Sequence, residues 1–79
     1  MSNAHITGLM KGAVMRCVES VDTACDIDAL YKTIVQTYGE FLMLGYQKRS
    51  FLQAVRSLAQ RYHILREILI RLMKTSNIC

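Results

Sequence analysis

Seven apolar residues, Phe51, Val55, Leu58, Tyr62, Leu65, Leu69 and Leu72, follow one another in steps of four and three without a miss. That spacing keeps one stripe facing one way along an α-helix and does not fit the two-residue alternation of a half-buried strand. It is the pattern of a heptad seam about three repeats long. No glycine or proline falls in residues 46–79. The seam therefore predicts one long helix from about 50 to 74, with a break near Tyr62-His63 as the alternative. Ser50, followed three residues later by Gln53, supplies a capping-box start.

The same period recurs upstream. Ile6, Leu9, Met10, Ala13, Val14, Cys17 and Val18 mark one face of a helix over about 5–20. The period is lost over Ser20 to Ala24, and Asp26 or Asp28 is suited to accept the first free N–H groups of the next helix. Ile27, Leu30, Ile34, Tyr38, Phe41 and Leu42 carry that helix to about residue 44, where Gly45 suits a left-handed C-terminal cap. The expectation is an all-α fold: one domain over residues 1–79, built as a small three-helix bundle whose C-terminal helix is long and heptad-patterned. A chain of 79 residues buries only about 60% of the surface it exposes when unfolded, so self-association or docking onto a larger body is expected.

Three cysteines, Cys17, Cys25 and Cys79, are an odd and sparse set, unlike the even frameworks that staple small secreted domains. They read as reduced thiols of an intracellular protein, cytoplasmic or nuclear. Residues 1–15 lack the apolar run of a signal peptide, and no stretch approaches the roughly 18 apolar residues of a membrane span. Cys17, Cys25, Cys79, His5 and His63 form neither a C-x-x-C nor an H-x-x-x-H, so no metal site is expected. Asp26 and Asp28 read as capping and dipole partners rather than a paired-carboxylate metal site. His63 has no nucleophile or carboxylate at a telling spacing and reads as a helix-boundary residue. Gly8, Gly12, Gly39 and Gly45 form no phosphate-cradling loop; Gly8 and Gly12, four apart, read as allowing another helix to approach closely. Met10, Met15, Met43 and Met73 read as core filling, with an adaptable docking surface as the alternative. No catalytic residue and no cofactor is expected.

The net charge of +4 is unevenly spread. Residues 1–46 carry three cations against five carboxylates, a balance of −2, whereas residues 47–79 carry seven cations against Glu67 alone, a balance of +6. The C-terminal segment is thus the part suited to a polyanion. Arg49 and Arg56, seven apart, share a helix face; Lys48, Arg66 and Lys74 lie to either side of the apolar seam. These five are the candidate phosphate contacts, and solvating charges beside a heptad core are the plain alternative. Tyr46 and Tyr62 have rings able to stack on bases, although Tyr62 falls in the seam and reads as packing. A third use is a basic amphipathic helix on a membrane surface, pairing the arginines with Leu65, Leu69 and Leu72.

Ser2-Asn3-x-His5, Gly8-Leu9-Met10-Lys11-Gly12, Arg16, an acidic turn, Leu30, a helix into Leu44-Gly45-Tyr46, and Ser50-Phe51-Leu52 follow in that order over roughly residues 2–55. This succession resembles the helical stretch just downstream of the catalytic domain in retroelement reverse transcriptases. Leu44 stands where that family usually carries arginine, and the aromatic-x-Asp-Asp polymerase motif is absent, so no catalysis is carried over. The resemblance implies a thumb-like body packed along a nucleic-acid duplex, a fragment or a relic of a longer enzyme.

Two functions are thus expected in competition. One is a non-catalytic module that holds a phosphate backbone without reading sequence, through Lys48, Arg49, Arg56, Arg66 and Lys74. The other is an interaction module whose 51–72 seam (Phe51, Val55, Leu58, Tyr62, Leu65, Leu69, Leu72) pairs with itself or with a partner helix.

Overall fold

The computed structural model describes residues 3–21 and 26–74. Four helices follow one another: α1 over Asn3–Ser20, α2 over Ile27–Met43, α3 over Lys48–Ala59 and α4 over Ile64–Lys74. There is no strand among the described residues, so the all-α class stands. The count of three helices does not.

The first two helices lie where the apolar period places them, and their ends have identifiable causes. Asp26 caps α2: its side-chain oxygen accepts the Ala29 N–H at 3.0 Å, satisfying one of the free donors of the first turn. At the other end Gly45 adopts φ +97°, the left-handed conformation that costs a side chain dearly and glycine nothing. The Gly45 N–H donates to the Leu42 carbonyl at 2.9 Å and the Tyr46 N–H to the Phe41 carbonyl at 3.0 Å. These are the two bonds of a Schellman motif, and its customary apolar contact is made by the Phe41 and Tyr46 rings, 5.9 Å between centroids.

In the last segment the favoured single helix gives way to the alternative, a break near Tyr62-His63. The predicted helix over 50–74 is divided at residues 60–63. The Arg61 and Tyr62 N–H groups both donate to the Leu58 carbonyl at 3.0 Å; α4 then starts afresh, with the Leu65 N–H on the Tyr62 carbonyl at 2.9 Å and the Arg66 N–H on the His63 carbonyl at 3.0 Å. An unbroken helix of that length would run about 37 Å, the full 38 Å long dimension of the molecule. Two other helices cannot cover a seam of that length in so small a domain. Turning at Tyr62-His63, two residues of modest helix propensity, lets α4 pack against α3 and bury Leu65, Ile68 and Leu72 with Phe51 and Val55. The capping box is corrected too: α3 begins two residues earlier, after Gln47, with no side-chain cap, and Ser50 lies inside its first turn.

The core is one cluster drawn from all four helices: Met10, Val14 and Cys17; Leu30, Ile34 and Tyr38; Phe51, Ala54, Val55 and Ala59; Leu65, Ile68 and Leu72. α3 packs against each of the other three helices, and α2 does the same. Phe51 anchors the α2–α3 corner, its ring 5.3 Å from that of Tyr38 and 6.0 Å from that of Phe41, within the range where tilted aromatic pairs attract. Of the methionines read as filler, Met10 is in the core and Met15 half-buried, whereas Met43 and Met73 are exposed. A Cβ built on Gly8 or Gly12 meets nothing within 4 Å. Neither glycine mediates a close helix approach in this fold.

Candidate functional site

α3 presents its apolar residues on one side and a strip of hydrogen-bond donors on the other. Buried Phe51, Ala54, Val55 and Ala59 set the inner face. On the outer face, at steps of four, three and four, stand Arg49, Gln53, Arg56 and Gln60, all exposed. Gln60 caps the helix in helical conformation, so the register holds over about 16 Å of surface. Arg49 and Arg56 line one open recess of about 430 Å³ together with Gln53 and Leu52. Arg49 also borders a second recess of about 450 Å³ at the start of the helix, shared with Ile6, Thr7, Tyr46, Gln47, Ser50 and Gln53.

The segment that carries this face is one-signed. No carboxylate occurs between Glu40 and Glu67, while Lys48, Arg49, Arg56, Arg61 and Arg66 fall in that interval. Lys48 and Arg49 occupy the first turn of α3, where the helix already carries about half a positive charge and acidic residues are favoured. The turn has neither an acidic residue nor a side-chain cap. Both omissions cost stability in the free protein, and both are offset when an anion sits at that end.

Arg71 is engaged within the fold. Its guanidinium donates to Asp28 at 2.7 Å, lies 3.6 Å from Glu67 and sits over the Tyr31 ring at 5.6 Å. The Asp28 hydrogen bond leads the influences that raise its pKa above the ordinary arginine value. It is a tie between α2 and α4. Among the described residues no other lysine or arginine is in an ion pair.

The five predicted phosphate contacts are therefore only partly assembled. Arg49 and Arg56 share a strip, as their spacing implied. Lys48 is half-buried at the edge of the inner face, one turn before Phe51. Arg66 and Lys74 are exposed on the outer face of α4, interspersed with Glu67, Ile70 and Met73, and neither borders the recesses that Arg49 lines. As site residues Gln53, read only as a capping partner, and Gln60 escape the sequence reading, because uncharged amides do not register in a charge count. The signal that finds them is their place in the same four-three-four register as the two arginines.

The predicted seam is corrected. Phe51, Val55, Leu65 and Leu72 lie in the chain's own core, Leu58 and Leu69 are half-buried against it, and Tyr62 is 39% exposed in the α3–α4 turn. A partner helix cannot reach the buried four without unfolding the domain. For the same reason a membrane-lying face built on Leu65, Leu69 and Leu72 is not on offer. His63 is exposed in the turn that precedes α4, the boundary position its context suggested. Cys17 is buried, its sulfur 3.2 Å from the Thr37 hydroxyl. Cys25, Cys79 and the side chain of His5 lie outside the described residues. Among the described residues no three of His, Cys, Asp and Glu gather closely enough to hold a metal ion, and no helix is long and apolar enough to cross a membrane.

No protein-family model, curated protein or solved structure matches the chain.

Proposed function

We propose that this chain is a non-catalytic helical module that grips the phosphate backbone of a nucleic acid along the exposed face of α3. The observation that carries the reading is the Arg49–Gln53–Arg56–Gln60 strip: two guanidinium forks, neither in an ion pair among the described residues, alternating with two amides and with no carboxylate between them. Guanidinium groups match phosphate oxygens in a bidentate manner, and amide side chains donate to the same oxygens. Phosphates recur about every 3.4 Å per strand along a duplex axis, so a strip of about 16 Å spans several of them. The bare, cation-bearing first turn of α3 adds a site of the same preference at one end. Such contacts position a protein on a duplex and carry no sequence information. That suits a thumb-like accessory role, in keeping with the resemblance to the reverse-transcriptase region.

The test is a titration of two unrelated labelled duplexes by fluorescence anisotropy over a series of salt concentrations. The reading requires equal affinity for both, with log K falling linearly as log salt rises. Failure to bind either duplex at low salt, or an affinity indifferent to salt, removes it.

A further inference from the structure

The outer side of the α1–α2 pair carries an open groove of about 410 Å³ that neither α3 nor α4 lines. Its walls are the flanks of two helices. Ala13, Ser20, Thr33 and Thr37 make them shallow, so that another helix can approach closely. Apolar ends are left in water: Leu44, which lines the groove, is 73% exposed, Met43 beside it 90%, and Leu9, one turn before Ala13 on the same flank of α1, 52%. Large apolar side chains clustered in water beside a groove mark an interaction surface.

Charge decides what fits. Arg16 stands on the α1 wall and Glu40 on the α2 wall, both exposed, and neither is in an ion pair among the described residues. α1 as a whole carries Lys11 and Arg16 against Glu19, and α2 carries Asp28 and Glu40 against Lys32. One helix has a surplus cation and its neighbour a surplus anion. A two-fold interface sets each patch against its own copy, so a residue i meeting j requires j to meet i. A surface with a cation and an anion on opposite walls satisfies that condition by itself. The strongly basic α3 and α4 surfaces, which would repel in a pair of chains each bearing +4, are not part of this face.

We propose that the groove is occupied by a second copy of this chain, α1 of each protomer packing against α2 of the other, with Arg16 paired to Glu40 across the two-fold axis. The dimer buries Leu9, Met43 and Leu44 and leaves both α3 strips outward.

Sedimentation equilibrium under reducing conditions on wild type, Arg16→Glu, Glu40→Arg and the Arg16→Glu/Glu40→Arg double swap tests this. Each single swap sets like charges together twice per dimer and should raise the dimer dissociation constant by about tenfold, while the double swap should restore the wild-type value. Leu44→Lys, at a position too exposed to affect folding, should weaken the dimer without loss of helical circular dichroism. A wild type that stays monomeric throughout the micromolar range overturns the proposal, as does a double swap no tighter than the single swaps. A dimer unmoved by every variant places the contact elsewhere and overturns it equally.

Discussion

Glycine-to-alanine substitution should have opposite signs at two positions in α2 and its cap, and the contrast isolates backbone conformation from packing. A Cβ built on Gly39 meets nothing within 4 Å, and one built on Gly45 likewise meets nothing. Steric fit is therefore not a variable at either site. Gly39 lies within α2, where alanine gains roughly 0.5–1 kcal/mol by restricting the unfolded chain and favouring the helix. Gly45 holds φ +97°, where an L side chain costs about 1–2 kcal/mol. The two variants should then differ by roughly 2 kcal/mol. In a domain of this size 1 kcal/mol moves Tm by about 4–8 °C, so Gly39→Ala should melt above wild type and Gly45→Ala below it, the pair about 10 °C apart by far-UV circular dichroism. Urea titrations should show shifted midpoints with unchanged slopes. A Gly45→Ala protein as stable as wild type would refute the Schellman ending of α2 and the α2–α3 corner built on it.

Three further changes probe other parts of the structure. Leu65→Ala, at a fully buried site of α4, should cost about 2–5 kcal/mol by urea unfolding; a smaller loss would mean α4 is not packed on the core. Asp26→Ala removes the side-chain cap of α2 and should cost about 1 kcal/mol by the same measurement, with Asp26→Asn recovering most of it. Arg71→Gln breaks the ion pairs to Asp28 and Glu67 and should lower Tm slightly while leaving the salt dependence of duplex binding unchanged, since that guanidinium is already engaged.

The helical class, the extents of α1 and α2, an aspartate cap at Asp26 or Asp28 and the Gly45 turn were all legible in the sequence, because each rests on local chemistry: a 3.6-residue period, a side-chain acceptor, a left-handed φ. The division of α3 from α4 was legible only as the alternative to a single helix, a break near Tyr62-His63, and nothing local selected it. The Phe51-to-Leu72 register continues through the turn as though the helix did, and only the need to bury both halves against the same core breaks it. Tyr62 shows the consequence, being in register with the core but turned out at the bend. For the site, the i, i+7 pair Arg49 and Arg56 could be read from spacing alone. Lys48, Arg66 and Lys74 could not be sorted from them, because their placement depends on where α3 starts and on α4 being a separate helix with its own outer face. Gln53 and Gln60 became visible only once Phe51, Ala54, Val55 and Ala59 had fixed which side of α3 faces water.

Whether this strip, and not the general positive charge, holds the nucleic acid is tested most directly by comparing two double variants that remove the same net charge. Arg49→Gln/Arg56→Gln empties the strip of cations; Arg66→Gln/Lys74→Gln removes two from the outer face of α4. Glutamine keeps helix propensity near that of arginine and lysine, so both proteins should fold as wild type does. Measured as log K against log salt on a short duplex, the first pair should flatten the slope by about two units, close to 0.9 for each phosphate no longer neutralised, and the second should leave it where it was. Equal slopes for the two variants would contradict the account, because binding would then follow net charge and the register of α3 would have no part in it.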